Sequence, residues 1–331
     1  MLDIATAVGV SQPTVSVILN ESKSIKVSEE TRQRVFDKAR EMGYKFRNVD
    51  HSSKHQRIAL VINSLNMHDP FINAISAAKI YAWERDALLC VFDYEDNEQL
   101  KQAYFEEIQR SQYCGVIFAA NTPSEIDISE LCTAPKRVLL NCYDPNSDQI
   151  HALLPADSLG SYRACEHLIK AGYKNIAMIS GEPWSMSSIN RVKGFRQALA
   201  NHDLFIDDDA IVAGNWSVKQ AFKATQTLLS RSKRPDAIFC ASDLMAIGIY
   251  QALADQGLRI PEDIAVLSYD NQLLASELTP ALSSVDLPYD EMGRLSVEMI
   301  LDKIPAEIPL TRVEGELFLR DSTLSIKAQA L

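Results

Sequence analysis

The sequence has no C-x-x-C pair and no H-E-x-x-H, and its six cysteines (Cys90, Cys114, Cys132, Cys142, Cys165 and Cys240) stand far apart. That spacing argues against structural zinc and against a disulfide framework. Each thiol reads as a small apolar residue of a reducing compartment. Walker, G-x-G-x-x-G and G-x-S-x-G motifs are also missing, so no phosphate-cradling loop and no nucleophile elbow is indicated. Glycine is limited to twelve residues and no apolar run reaches membrane-spanning length, which excludes low-complexity and integral membrane classes. The segment Met1 to Thr6 lacks the basic and apolar stretches of a secretory signal, so a cytoplasmic location is expected, with no membrane partner. What is present is ample apolar material: 47% of 331 residues, with 23% charged. This is enough for a sizeable core in two or three domains. No metal and no cofactor is expected.

The net charge of −11 by itself argues against nucleic acid, but the charge is uneven. Residues 1–57 hold ten Lys/Arg against seven Asp/Glu, whereas the remainder holds 23 against 37. A small basic segment ahead of a large acidic body fits a nucleic-acid-binding head on a domain with another task. A solvated surface would carry the same small excess.

The basic segment has helical punctuation. Leu2, Ile4, Ala5 and Val8 share one side of a short helix, and Gly9 is placed to end it. Ser11 then caps a second helix by accepting from the N–H of Thr14, and Pro13 falls in the first turn, where a missing N–H costs nothing. Val15, Ile18 and Leu19 turn inward and leave Gln12, Pro13, Ser16 and Val17 outside. In such a helix-turn-helix the early residues of the second helix meet base edges in the major groove. Ser28 caps a third helix, with Glu29 and Glu30 at its positive end and Val35, Phe36, Ala39 and Met42 as its apolar stripe up to Gly43.

The run Asp3-Ile4-Ala5, Gly9 to Ser16, Leu19-Asn20, Val27 to Arg32 and Gly43-Tyr44 resembles the DNA-binding head of the lac-repressor/galactose-repressor family. The resemblance implies that Gln12, Pro13 and Val17 read bases of double-stranded operator DNA. It implies also that Thr14, Ser16, Asn20, Ser28 and Thr31 contact phosphates. Gln12 is suited to a two-pronged contact with adenine, and Val17 to methyl contact, for instance with thymine. Helix-start capping is the alternative for Thr14 and Ser16, and it is compatible with phosphate contact. In relatives a hinge helix follows, whose Leu wedges into the minor groove. Here the linker is polar, and Ser53, without apolar bulk, stands where that Leu is expected. The expected division is a head at 1–45, a linker at 46–57 and a body at 58–331.

From Arg57 onward strands and helices alternate. Ile58–Ile62, Leu88–Phe92, Gly115–Phe118, Ile176–Ile179, Ala237–Cys240 and Ile264–Leu267 read as buried strands. Phe71–Arg85, Arg191–Asn201 and Leu244–Gln256 read as helices. The pattern predicts an α/β body of two lobes with parallel doubly wound sheets. Lobe one is expected over about 58–156 and 288–318, and lobe two over about 157–287 and 319–331. Polar groups follow the strand ends: Asn63-Ser64, Ser180-Gly181, Ser242-Asp243 and Tyr269-Asp270-Asn271, with Arg191 opening a helix beyond one of them. Each alone is compatible with a helix cap; together they favour a ligand between the lobes.

The body too resembles the family's effector domain, in Asp69-Pro70-Phe71, Arg191-x-x-Gly194-Phe195, Pro235 to Phe239, Asp243-x-x-Ala246-x-Gly248 and Tyr269-Asp270-Asn271. The implied fold is that of periplasmic sugar-binding proteins. Trp216 aligns with an aromatic that often stacks on the effector in relatives, and core packing is the alternative. Phe71 is open between stacking and core. Arg191 and Asp270 suit adjacent hydroxyls. The candidate effector residues are Asn63, Phe71, Arg191, Trp216, Ser242, Asp243 and Asp270.

An enzyme, a solute-binding protein and a DNA-binding regulator make different demands on the sequence. Glu166-His167 has no nucleophile to serve, and Asp207-Asp208-Asp209 reads as a solvated loop, so no enzyme is expected. A solute-binding protein would share the body but would need a signal peptide and would lack the head. A regulator, most simply a repressor, accounts for both ends of the chain. A small effector, expected to be a sugar with a purine as the alternative, closes the lobes and changes the spacing of two heads in a homodimer. No apolar heptad tail precedes Leu331, which points to a dimer rather than a tetramer.

Overall fold

The computed structural model describes residues 1–19, 27–43, 55–66, 69–205, 207–302 and 309–323. It divides into two compact units, Met1–His55 and Gln56–Leu331. Asn20 and Ser53, singled out above, lie outside the described residues.

In the first unit α1 (Leu2–Val8), α2 (Gln12–Leu19) and α3 (Glu29–Glu41) enclose a small core. Ile4, Ala5, Val8, Val15, Ile18, Leu19, Val35 and Ala39 form it. Gly9 adopts φ 76, a left-handed conformation that stops α1 and that glycine reaches without steric cost. The axis then bends by 103° into α2, as in helix-turn-helix units. Leu2 is 64% exposed and Met42 47%, so neither joins the core as expected. Both sit at helix ends, beyond the reach of a core built from eight side chains.

The second unit opens with β1 (Gln56–Ile62), α4 (Ile72–Glu84), β2 (Ala87–Asp93), α5 (Glu98–Arg110), β3 (Gly115–Glu125), β4 (Arg137–Tyr143) and β5 (His151–Pro155). It continues with α6 (Asp157–Ala171), β6 (Ile176–Ser180), α7 (Met186–Asn201), β7 (Ile211–Ala213), α8 (Val218–Leu229), β8 (Ala237–Cys240), α9 (Asp243–Asp255), β9 (Ala265–Asp270), α10 (Leu273–Glu277) and β10 (Ser283–Asp286). It ends with α11 (Tyr289–Leu301), β11 (Leu310–Val313) and β12 (Leu317–Phe318). The first sheet has the order β11-β5-β4-β3-β1-β2 and the second β12-β10-β9-β8-β6-β7. Each is doubly wound about its own first strand, so the two lobes repeat one topology. The apolar run of β1 is buried on both faces: Ile58, Leu60 and Ile62 enter one core and Ala59 and Val61 the other, the period of a central strand.

Two expectations need correction. The first sheet is wholly parallel, but the second is mixed, because β12 pairs with β10 antiparallel. A parallel neighbour needs a long crossover, whereas β12 comes straight from β11 across the lobes and enters at the carboxyl ends of the strands. The last crossing therefore precedes Leu317, ahead of the division expected after residue 318. In addition, α7 begins at Met186, so Arg191 lies in its second turn and does not open it. The serine-rich start carries little helix signal in the sequence.

The helices pack closely where glycine allows. A Cβ at Gly293 of α11 would lie 2.0 Å from the carbonyl oxygen of Ala74 on α4, and one at Gly194 of α7 equally close to that of Ser158 on α6. Backbone cannot yield as a side chain does. Gly293→Ala is therefore expected to destabilise the body by about 1–3 kcal/mol, while Ser76→Ala on the exposed face of α4 changes stability by less than about 0.5 kcal/mol. Urea denaturation followed by near-ultraviolet circular dichroism measures both; equal midpoints would refute the close-packing argument.

Candidate functional site

The outer face of α2 presents Gln12 and Pro13, which are exposed, with Thr14, Ser16 and Val17 partly so, while Val15, Ile18 and Leu19 hold the opposite face in the core. The geometry leaves the early residues of this helix outward, as the 3.6-residue period dictates. Ser11 Oγ accepts from the N–H of Thr14 at 3.2 Å and shares a hydrogen bond with its hydroxyl at 2.7 Å. Ser28 and Thr31 repeat the arrangement at 3.2 and 2.8 Å at the start of α3. Both hydroxyl pairs thus cap helices and lie at the unit's surface or near it. The Arg34 guanidinium donates to the carbonyl of Val8 at 3.1 Å, tying α3 to the end of α1.

In the body a cleft of about 330 Å³ lies between the two sheets, lined from both. Asn66, Asp69 and Pro70 follow β1, and Asn121, Thr122 and Pro123 come from a bulge in β3. Ser185, Ser187 and Arg191, Trp216, Ser242, and Asp270 with Gln272 follow β6, β7, β8 and β9. These positions flank the switch points of both sheets, β1/β3 and β6/β8, where doubly wound folds bind ligands.

Arg191 is the central charge of the site. It is 3% exposed. Its Nε donates to Asp157 at 2.9 Å, and its Nη1 to the Ala241 carbonyl and to Asp270 at 3.3 Å. Its guanidinium lies 3.8 Å from the ring centre of Tyr269 and 5.8 Å from that of Trp216. Burial opposes the Arg191 charge, but Asp157 and Asp270 outweigh it and hold the guanidinium protonated. Burial pushes the Asp270 carboxyl well above the usual range, with Arg191 pulling the other way and Asp243 and Asp157 adding to the rise. Burial likewise raises Asp69, against the lowering bonds from the N–H of Phe71 and from Asn121.

Trp216 is half-buried and packs on the core, with part of the ring facing the cleft. Both Asn215 and Trp216 have positive φ, at 49° and 55°. This sharp turn after β7 lays the indole over Gly181, where a Cβ would collide with the ring at 2.0 Å.

Of the expected effector residues, Arg191, Trp216, Ser242 and Asp270 come together in the cleft. Three do not. Phe71 is fully buried and meets Tyr289 edge-on at 5.2 Å, so it is a core residue with no face toward a ligand. Asp243 is fully buried at the start of α9, where it accepts from Ser268, Ser284 and the N–H of Gln272 at 2.6, 2.7 and 2.7 Å. Burial raises its carboxyl to about 6 despite those bonds. Asn63 stands behind the wall: its Nδ2 donates to Asn121 at 3.2 Å and its Oδ1 accepts from the Asn121 N–H at 3.1 Å, which holds the β3 bulge.

The sequence reading missed Asp157, Asn121 and Tyr289. Asp157 gives no local signal apart from standing in the first turn of a helix. Asn121 reaches the cleft because the β3–β4 register slips between Ala119 and Ser124. Opposite it, Asn141 takes φ 61 and donates to the Ala120 carbonyl and to the Tyr289 hydroxyl at 2.9 and 3.3 Å.

Comparison with known proteins bears on both units. Residues 1–46 match the bacterial regulatory proteins of the lacI family, and residues 165–323 a periplasmic binding protein-like domain. The chain is 32% identical over 337 residues to the ribose operon repressor of Haemophilus influenzae, covering 99% of each. It is 28% identical to the HTH-type transcriptional repressor PurR of Aliivibrio fischeri, covering 98% of each. Among solved structures, the lac repressor dimer bound to operator and the anti-inducer ONPF aligns with TM-score 0.74 and 26% identity, over 98% of this chain and 99% of that one. The transcriptional regulator CelR–cellobiose complex aligns with TM-score 0.68 and 25% identity, over 96% and 98%. No single helix among the described residues is long and apolar enough to cross a membrane. With a helix-turn-helix head at one end and a two-lobed effector-binding body matched along the same chain, the protein belongs to the lacI family of bacterial transcriptional regulators, which act by binding DNA and not by catalysis.

Proposed function

We propose that the chain is a repressor that binds a pseudo-palindromic operator as a homodimer and is controlled by a neutral sugar held in the cleft. The observation that carries the effector assignment is the Asp157–Arg191–Asp270 cluster, set at the strand ends of the second sheet beside a half-buried indole and across the cleft from Asp69 and Asn121 of the first lobe. An indole face suits the C–H face of a pyranose, and a buried guanidinium with a carboxylate suits neighbouring hydroxyls. The relatives named for ribose and cellobiose support this reading, and a purine, which would stack on the same indole, is the competing ligand. Ligand contacts from Asp69 and Asn121 on one lobe and from Arg191 and Asp270 on the other would favour the closed state, and differential affinity for open and closed forms is what shifts operator binding.

For the head, Gln12, Pro13 and Val17 are proposed as base-reading residues, and Thr14, Ser16, Asn20, Ser28 and Thr31 as phosphate contacts. One reading helix per chain gives two half-sites about one helical turn apart. Gel shifts are expected to show strong preference for the intact palindrome over a single half-site. Equal affinity would refute the dimeric reading. Gln12→Ala should cost about 1–3 kcal/mol of base discrimination and leave effector binding unchanged.

Titration calorimetry with neutral pentoses, hexoses and disaccharides beside hypoxanthine and guanine tests the effector. A sugar is expected to bind. Arg191→Ala should cost about 2–5 kcal/mol of affinity, because it leaves buried carboxylates unpaired. Trp216→Ala, a milder change, should cost about 1 kcal/mol. Tight purine binding with no response to any sugar would overturn the carbohydrate assignment, and unchanged affinity in both variants would overturn the cleft assignment.

A further inference from the structure

A second cavity in the body, about 480 Å³, shares no lining residue with the cleft. It lies over two of the segments that join the lobes. There the N–H of Ala156, between β5 and α6, donates to the carbonyl of Val313, at the end of β11, at 2.8 Å. One wall is α7, where Asn190, Lys193, Gln197 and Asn201 line the cavity at helical spacing, so that they form one stripe. Tyr162 of α6 lies beside them, its hydroxyl accepting from Asn201 at 3.3 Å. Arg312 of β11 faces the same space from the other lobe.

Lys193 and Arg312 are exposed, and neither has an ion pair or hydrogen bond among the described residues. The adjacent Glu314 is taken by Arg163 at 2.7 Å. Elsewhere on the same helix Arg196 is paired with Asp208 at 2.9 Å. The whole chain has 44 carboxylate residues against 33 Lys/Arg, so acidic partners are abundant. Two cations without an ion pair thus face one concavity, whose lining carboxylate is already paired. A guanidinium fork, an ammonium and amide N–H groups are the donor types that recognise a phosphate group.

We propose that this groove is a second ligand site, for a phosphorylated small molecule that bridges Arg312 of lobe one and Lys193 of lobe two. Such a ligand restrains the segments that join the lobes. It therefore changes the affinity of the cleft for its own ligand, and by linkage the cleft ligand changes the affinity of the groove.

Titration calorimetry of the full chain with pyrophosphate at low salt tests the site. The wild-type chain is expected to bind, and Lys193→Gln and Arg312→Gln each to weaken binding about tenfold. Trp216→Ala, altered in the cleft, should bind pyrophosphate as the wild type does. Both cations are exposed, so the variants should melt with the wild type, and the loss then reports on the site. No binding by the wild-type chain would overturn the proposal. Undiminished binding by the Lys193→Gln/Arg312→Gln double variant would also overturn it, identifying an adventitious ion only, held elsewhere on the chain.

Discussion

The body is organised around one buried guanidinium. Removing Arg191 from water costs several kcal/mol unless its charge and its N–H donors are satisfied. Its partners come from separate elements: Asp157 from α6, the Ala241 carbonyl from the end of β8, Asp270 from the end of β9, and the ring of Tyr269. These contacts tie the starts of α6 and α7 to the carboxyl ends of β8 and β9. Arg191 and Asp270 of this cluster line the cleft, so the interaction that fixes local geometry also shapes one of the cleft's polar walls.

The supporting carboxylate, Asp243, works in the same way without touching the cleft. It gathers Ser268 of β9, Ser284 of β10 and the N–H of Gln272. The loop carrying Asp270 and Gln272 is thereby held against the start of α9. On the opposite lobe, Asn63 and Asn141 hold the β3 bulge that carries Asn121. Both walls are therefore buttressed by buried polar groups whose bonds are local to one lobe. None of these buttressing bonds crosses from one lobe to the other.

Much of this was legible from residues alone. The head's caps and apolar spacing gave Gly9, Ser11, Val15, Ile18 and Ser28 their observed roles, because caps and helical period are local properties. The convergence of Arg191, Trp216, Ser242 and Asp270 was readable because strand ends of a doubly wound sheet share one edge. Phe71 and Asp243 were misplaced for a common reason. Each stands next to the site in sequence, and only the direction of the side chain separates a ligand contact from a core residue or a buttress.

The amino-acid sequence by itself determined the secondary-structure order, the division into a helical head and an α/β body, the outward face of α2 and the family to which the chain belongs. These depend on period, capping and motif order, which act over a few residues at a time. The tertiary structure decided the antiparallel β12, the bulge that brings Asn121 into the cleft, and the pairing of Arg191 with Asp157. It decided also the groove between Lys193 and Arg312. These depend on contacts between residues distant in sequence, where backbone register and the cost of burying charge choose among arrangements that the local sequence leaves equal.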